Sequence, residues 1–319
     1  MPVYNVAPFI DAAIASIRNQ SFSDFEFIVV DDGSTDATAS VVERHAAEDS
    51  RLRLIRLPHS GVVAASNAAL AAARGRTVAR MDGDDVALPQ RLALTFDCLE
   101  RHPEVGIVGT AAALIGPEGQ PLRILRPPLE HEAVARVFRT RNVMMHPTVL
   151  MRRDLIVALG GYRAAFEYAE DTDLWLRAIE RTRIVNLPDV LVQVRRHFGK
   201  VSFRRAERQA VASAAARAAA ALRRRGRPDP VGDAPALTEA HFEQLGMPPG
   251  VRHRHICSRL RDSIRFGVLD GDADYSWALL ERLREQASPA EYLAALHDFR
   301  TALDVNPALA GWSPRCGSD

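Results

Sequence analysis

The chain has 319 residues, of which 47% are hydrophobic and 25% are charged, values typical of a globular protein with one large or two modest domains. Its formal net charge of +1 gives no electrostatic argument for nucleic acid as a partner. The sequence contains neither an apolar stretch long enough to span a bilayer nor the pattern of a signal peptide. Its three cysteines show no metal-ligand spacing. We therefore expect a soluble, cytoplasmic protein with free thiols.

The first 80 residues alternate between helical and strand-like patterns. In chain order they predict helix, strand, helix, strand, helix and strand at residues 8–19, 25–30, 37–47, 52–57, 61–74 and 77–79. Such alternation is typical of a mostly parallel sheet flanked by helices. The fold class is therefore predicted to be α/β.

Two aspartates, Asp31 and Asp32, follow the strand at 25–30 directly. In open α/β sheets, turns at the carboxyl ends of strands bind ligands. Asp32 is therefore a candidate for accepting hydrogen bonds from a nucleobase or ribose. Ser34 or Asp36 in the same turn is suited to cap the next helix, and this structural role is compatible with a ligand nearby.

A second acidic turn follows the strand at 77–79. In extended backbone Asp82 and Asp84 point to the same side, and Gly83 between them leaves room for a ligand to approach. With Asp85 they place three carboxylates together, which repel one another unless a cation lies between them. Hard cations such as Mg²⁺ or Mn²⁺ prefer these oxygen ligands. The pattern indicates a metal–diphosphate site, and the alternative is an acidic surface turn.

Three further positions are candidates for a functional role, and each also has a purely structural interpretation. Arg74, near the strand that leads to the acidic turn, can meet a phosphate or remain a solvated residue at a helix end. Glu170 and Asp171 precede an apolar helical segment, where carboxylates stabilise the helix dipole even without a catalytic role. His197 follows the predicted strand at 191–196 and is either a structural or exposed histidine or a further metal ligand.

The remaining elements divide the chain near residue 200. Strands are predicted at 105–109, 148–151, 184–187 and 191–196, with a hairpin between 116 and 128. An Ala- and Arg-rich helix is expected at 203–225, a linker at 227–235, mainly helical structure at 237–303, and a loose tail at 310–319. We expect a catalytic domain at 1–200 and a helical region at 201–319.

Eight short segments occur in the order of motifs found in the family 2 glycosyltransferases, whose fold is called GT-A. They are residues 1–5, 30–36, 74–75, 81–85, 146–147, 160–163, 170–177, and 187–191 running into 195–197. The resemblance covers residues 1 to about 200. Each segment alone is weak evidence, but their order along the chain makes the resemblance specific.

The resemblance implies roles for the residues singled out above. Contacts to a nucleotide-sugar donor are expected from Asp31, Asp32, Asn67, Arg74, Asp82 and Asp84. Ligands to Mg²⁺ or Mn²⁺ are expected to be Asp82, Asp84, Asp85 and His197. The general base is expected to be Asp171, in the pair Glu170–Asp171.

The implied activity is inverting transfer of a sugar to a glycan or lipid-linked acceptor in the synthesis of surface polysaccharide or glycoconjugate. Association with the inner face of the membrane, through the helix at 203–225, is a further hypothesis. The alternatives are a catalytically impaired nucleotide-sugar-binding protein and a sugar nucleotidyltransferase. A Rossmann dehydrogenase is disfavoured because no Gly-x-Gly-x-x-Gly follows a strand.

The chain departs from the family pattern at two places. Family members usually carry a hydrophobic strand before the motif at 1–5, so we expect a central strand to be missing and the true start to lie upstream. In addition, Ser66 precedes Asn67 where the family commonly has an Arg-Asn pair, which weakens Asn67 as a binding residue.

Overall fold

The computed structural model describes residues 1–313; the expected loose tail lies partly, and Cys316 wholly, outside these residues. The first elements are β1 (Pro2–Val3), α1 (Ala7–Arg18), β2 (Phe27–Asp31), α2 (Thr38–Glu48), β3 (Leu52–Arg56), α3 (Val62–Ala72) and β4 (Thr77–Ala79). The middle elements are β5 (Val86–Ala87), α4 (Arg91–Arg101), β6 (Val105–Ile115), β7 (Pro121–Leu125), α5 (His131–Phe138), β8 (Leu150–Arg152), α6 (Arg153–Ala158), α7 (Glu170–Ala178) and β9 (Arg183–Arg195). The last elements are α8 (Val201–Arg204), α9 (Ala206–Arg224), α10 (Glu239–Gln244), α11 (Pro249–Leu269), α12 (Ala273–Arg284) and α13 (Pro289–Asp304).

The strands form two sheets, which confirms the predicted α/β class. The first sheet is parallel, with the order β1-β2-β3. The second has the order β4-β8-β6-β9-β5, with β7 paired to β6. The expected parallel arrangement holds in the first sheet and for the pair β6–β9, whereas the other pairs of the second sheet are antiparallel. One reason is that a tight turn joins β6 to β7, and parallel neighbours need a longer crossover.

Strand β9 is longer than the sequence pattern indicates. Two strands were expected around Pro188, yet the structure has one. Its pairing with β6 shifts register there, because Leu187 pairs with Thr110 and Val190 pairs with the next residue, Ala111. A bulge of this kind accommodates proline, which lacks a backbone N–H for the ladder. Strand β9 thereby runs unbroken to Arg195, next to the acidic turn.

The packing of α1 explains how the acidic turn is supported. Ile10 and Ile14 are fully buried, in one cluster with Val29 of β2 and Met81 of the turn. Burying an aliphatic side chain of this size contributes roughly 1.5–3 kcal/mol relative to leaving it exposed. The loop that carries the acids is therefore anchored to the core at Met81.

The carboxyl-terminal helices do not begin a separate core at residue 200. Alanines of α9, among them Ala215 and Ala219, are buried in the cluster that holds Phe166 and Trp175. Helices α11 to α13 form a second cluster, to which Ala206 of α9 also belongs. Helix α9 thus packs against both parts of the chain. Within residues 1–313, none of the helices combines the length and apolar character needed to cross a bilayer.

A cavity of about 560 Å³ lies between β2 and β4, lined by Ile28, Val78 and other mainly apolar side chains. At its edge the amino group of Met1 donates to the carbonyl oxygen of Ile28 at 2.8 Å, and Val30 N donates to the Met1 carbonyl at 2.9 Å. Burial lowers the pKa of this amino group to about 5. At this edge of β2, where the family's central strand is expected to be missing, β1 supplies two residues that pair with β2.

Candidate active site

The three acids of the second acidic turn converge. One carboxylate oxygen of each of Asp82, Asp84 and Asp85 lies within 4.8 Å of the others. The turn joins β4 to β5, and both strands are fixed by pairing, so the backbone on each side of the acids is held. Asp84 and Asp85 are buried, and Asp82 is half-buried. The structure therefore brings together the carboxylates that the sequence pattern indicated.

Each of these carboxylates contacts a basic side chain. Arg80 forms an ion pair with Asp82. His197 Nε2 lies 2.9 Å from Asp84 Oδ2, and Lys200 Nζ lies 2.9 Å from Asp85 Oδ1. Because an uncompensated buried charge is strongly destabilising, these basic partners help three acids to pack closely.

The pKa values of the two buried acids are shifted in opposite directions. Burial raises the pKa of Asp85 to about 8. The charge of Lys200 lowers this pKa, and the charge of the neighbouring Asp84 raises it. For Asp84, burial acts in the same sense but is outweighed by Lys200 and His197, which hold the pKa well below its usual range. Three converging carboxylates are the oxygen donors that Mg²⁺ and Mn²⁺ prefer, so the residues fit a divalent cation.

Gly83 serves a different purpose from the one expected. A Cβ at this position would lie 2.7 Å from Val3 Cγ1, 3.1 Å from Val6 Cγ2 and 3.3 Å from Ile10 Cδ1. The absence of a side chain therefore lets the turn pack on β1 and α1. The expectation that it leaves room for a ligand is corrected accordingly.

The first acidic pair is engaged by backbone amides. Asp32 Oδ1 accepts a hydrogen bond from Ser60 N at 2.8 Å, and Oδ2 accepts one from Gly61 N at 2.9 Å, just before α3. Asp31 Oδ1 accepts from Ser34 N at 3.2 Å. Both aspartates are buried at the carboxyl end of β2. They thus fix the loops at this edge of the sheet, and direct contact with a nucleotide remains a prediction.

The structure does not bring Arg74 or Asn67 to the acids of the second turn. Arg74 precedes the amino end of β4, whereas these acids follow its carboxyl end, and its Nε donates to Glu26 Oε2 at 3.2 Å. The side-chain amide of Asn67 binds the backbone of Tyr162: Nδ2 donates to the carbonyl oxygen at 2.8 Å, and Oδ1 accepts from the N–H at 2.9 Å. Asn67 therefore fixes the segment between α6 and α7, and the arginine that forms an ion pair with a carboxylate of the cluster is Arg80.

Glu170 and Asp171 lie in the first turn of α7, as the sequence indicated. Burial raises the pKa of Glu170 to about 8, helped by the charges of Asp171 and Asp82, while Arg80 opposes it. Burial also raises the pKa of Asp171, against hydrogen bonds from Thr172 and Asn142. Because Asp82 and Arg80 both act on Glu170, this pair and the acid cluster lie in one electrostatic environment. A carboxylate with a raised pKa is suited to accept a proton near neutral pH.

Asp171 is held in a defined orientation. Asn142 Nδ2 donates to Asp171 Oδ2 at 2.9 Å, and the backbone N–H of Thr172 donates to Oδ1. Asp171 is half-buried, whereas Glu170 beside it is buried. Of the two residues, Asp171 is therefore the more exposed.

Several residues of the site were missed by sequence reasoning. Arg80, Asn142 and Lys200 contact the predicted acids, and the ring of Tyr4 stacks on that of His59, beside Asp32, with centroids 4.2 Å apart. Only Arg80 carried a local signal, since it directly precedes the acidic turn. The others meet their partners through contacts between distant parts of the chain.

A second group of metal-ligand residues lies in the carboxyl-terminal helices. His253, Cys257 and Glu291 place one ligand atom each within 4.8 Å of one another. Glu291 Oε2, however, already accepts from Ser288 N at 2.9 Å and Ser288 Oγ at 2.7 Å in the capping box of α13. Hydrogen bonds from Ser288 lower the pKa of Glu291 to about 2. Helix capping thus accounts for the position of Glu291 in this group.

Comparison with known proteins gives consistent results. A family model described as glycosyl transferase family 2 matches residues 1–160. The O-antigen biosynthesis glycosyltransferase WbnJ of Escherichia coli is 32% identical over 201 residues, which are 62% of this chain and 78% of WbnJ. The putative glycosyltransferase EpsE of Bacillus subtilis is 36% identical over 201 residues, covering 61% of this chain and 71% of EpsE.

The fold also resembles solved structures. The mannosyltransferase PcManGT from Pyrobaculum calidifontis, in complex with GDP-Man and Mn²⁺, has a TM-score of 0.54 and 20% sequence identity. The match covers 97% of this chain and 80% of PcManGT. This likeness confirms the predicted GT-A fold.

Proposed function

Because this chain belongs to glycosyltransferase family 2, we propose that it moves a sugar from a nucleoside-diphosphate sugar to a hydroxyl group with inversion at the anomeric carbon. The convergence of Asp82, Asp84 and Asp85, in the same electrostatic environment as Glu170, is the observation that supports this proposal most directly. The three carboxylates would hold the metal ion that binds a diphosphate. Asp171, next to Glu170, would be the base near it.

The donor end of the site would be formed by the acids of both turns. Asp82, Asp84 and Asp85 would hold Mg²⁺ or Mn²⁺, which as a Lewis acid offsets the charge of a diphosphate leaving group. His197, already 2.9 Å from Asp84, is the candidate for a further ligand. Asp31 and Asp32 border the loops where the nucleoside would lie.

The acceptor end would use Asp171 as general base. Its carboxylate, oriented by Asn142 and Thr172, would take the proton of the acceptor hydroxyl as that oxygen attacks the anomeric carbon. Bond formation to the acceptor and departure of the nucleoside diphosphate on the opposite face constitute a single displacement. Such a displacement inverts the anomeric configuration, because no enzyme nucleophile intervenes.

The acceptor is proposed to be a glycan or lipid-linked glycan of the cell surface. The support is the similarity to WbnJ, whose name refers to O-antigen biosynthesis. Peripheral membrane association and a catalytic domain at residues 1–200 remain hypotheses of this proposal. Liposome co-sedimentation of the full chain would test the first of these.

A donor screen tests the proposed reaction. Nucleoside diphosphate release would be measured with a panel of nucleotide sugars, in Mn²⁺ or Mg²⁺ and with chelator, for the wild type and for Asp82→Asn and Asp171→Asn. Asp189→Asn, in an exposed part of β9, is the matched control. We expect metal-dependent release that both test variants lose and the control keeps.

Two results would overturn the proposal. Release of pyrophosphate instead of nucleoside diphosphate would identify a nucleotidyltransferase. Nucleotide binding without turnover, unaffected by Asp171→Asn, would identify a nucleotide-sugar-binding protein.

A further inference from the structure

Lys200 is the only lysine in the chain, among 41 lysine and arginine residues. At the acid cluster, this lysine forms ion pairs with the carboxylates of both Asp84 and Asp85. A lysine ammonium is a compact point charge on a flexible four-carbon stem, whereas a guanidinium is a rigid planar fork. Lysine is therefore the side chain better suited to stand in for a metal ion and to move away.

The position of the ammonium is that of a cation among the acids. Lys200 Nζ lies 2.9 Å from Asp85 Oδ1 and 3.3 Å from Asp84 Oδ2, and the charge of Asp82 also acts on it. The side chain is mostly enclosed, with 19% of its surface exposed. Its ammonium thus occupies the region on which the three carboxylates converge.

The acids anchor the backbone that precedes Lys200, through Arg195. Arg195 N donates to Asp85 Oδ1 at 2.8 Å, and Arg195 Nε donates to the Asp84 carbonyl at 3.0 Å, which fixes the end of β9. From there a short turn, in which Lys200 N donates to the His197 carbonyl at 3.1 Å, leads into α8. The lysine stem can therefore swing away while Arg195 keeps its contacts.

We propose that Lys200 is an exchangeable counter-ion of the donor site: its ammonium neutralises Asp84 and Asp85 in the ion-free enzyme and leaves them when a divalent cation binds. The physical reason is that an ammonium and a divalent cation repel each other and cannot share the same carboxylate oxygens. The exchange keeps the buried acids compensated in both states. This inference rests on the proposed function in that it takes the acid cluster to be the metal site.

The first test measures Mn²⁺ affinity without donor, by electron paramagnetic resonance of the free ion. The variants are Lys200→Met and Arg204→Met, a control that removes one positive charge from an exposed position in α8. We expect Lys200→Met to bind Mn²⁺ about tenfold more tightly than the control, because the competing cation is gone. Equal or weaker binding by Lys200→Met would contradict the exchange.

The second test follows the lysine itself in the wild-type protein. An amine-reactive N-hydroxysuccinimide ester can label one lysine, so mass spectrometry of the Lys200 peptide reports on this residue alone. An ammonium held by two carboxylates reacts slowly, and we expect Mg²⁺ to increase the labelling rate several-fold. The increase should be absent in Asp84→Asn, and an unchanged rate in the wild type would overturn the proposal.

Asp82→Asn separates this inference from the proposed function, because Asp82 pairs with Arg80. If the wild type bound no Mn²⁺, the metal site of the proposed function would fail. It would also fail if Asp82→Asn bound Mn²⁺ as tightly as the wild type. If Asp82→Asn weakened Mn²⁺ binding while neither lysine test responded, only the role of Lys200 would fail.

Discussion

Asp173 and Arg163 form an ion pair inside the fold, with Arg163 Nε 3.0 Å from Asp173 Oδ2. The Asp173 side chain is fully buried, and Arg177 Nε also donates to Oδ2, at 2.9 Å. Since Asp173 lies in α7, three residues after Glu170, the pair fixes the helix that presents the candidate base.

Replacing Asp173 by asparagine is expected to destabilise the protein. It leaves the guanidinium groups of Arg163 and Arg177 buried without their shared carboxylate, which costs roughly 3–5 kcal/mol. Urea unfolding would measure the loss. Asp97→Asn, which breaks an exposed pair with Arg101, is expected to cost less than about 1 kcal/mol. A similar loss in both variants would show that burial of the pair is unimportant.

Replacing Asn142 by alanine is expected to move the acidic limb of the pH–rate profile. The hydrogen bond from Asn142 lowers the pKa of Asp171, so its removal raises that pKa further. Asp171 then needs a higher pH to be ionised, and kcat/KM at acidic pH falls while the plateau changes less. Thr140→Ala, at an exposed position of the same segment, should leave the profile in place. An unshifted limb in Asn142→Ala would argue against Asp171 as the titrating base.

Glu170 is expected to make stability depend on pH. Its pKa is raised from 4.5 to about 8, so the folded state binds the proton more tightly than the unfolded state between these values. Stability from this group is therefore complete at acidic pH and is lost as pH rises toward about 8. Glu170→Gln removes the titration, so its free energy of unfolding should rise relative to the wild type between about pH 5 and about pH 8. Urea unfolding at both pH values measures this difference, and a constant difference would contradict the assignment.

Gly83→Ala is expected to destabilise the amino-terminal core. The added Cβ would lie 2.7 Å from Val3 Cγ1, so β1 or α1 must shift, at a cost of about 1–3 kcal/mol. Gly250→Ala is the matched control, because its Cβ, near the start of α11, would meet no atom closer than 3.9 Å. The control should be neutral or slightly stabilising. Thermal unfolding of both variants would measure the difference. Equal melting temperatures would contradict the packing role of Gly83.

Much of the amino-terminal architecture could be predicted because its signals are local. Apolar spacing in α1 and the short apolar runs of β2 and β4 reflect interactions within a few residues of one another. The acid cluster was equally accessible, since Asp82, Asp84 and Asp85 are adjacent in the chain. The family resemblance then turned a generic acidic turn into a specific expectation.

The partners of those acids could not be predicted in the same way. Lys200 lies 115 residues from Asp85, and Asn142 lies 29 residues from Asp171, so their contacts depend on how the sheets and loops pack. The division into two sheets could not be predicted for the same reason, because it depends on which strands that are distant in sequence pair with one another. Arg74 is a different case: it is close in sequence to β4 but precedes the amino end of that strand, and its contact with a nucleotide-sugar donor stays a prediction.

The cavity between β2 and β4 has a practical consequence for any fusion to this chain. The amino group of Met1 lies inside the protein, bonded to the carbonyl oxygen of Ile28, and its pKa of about 5 reflects that enclosure. A residue attached before Met1 would have to be accommodated beside β2, at the edge of the cavity. An affinity tag at the amino terminus would therefore act as part of the fold, and its sequence would alter stability.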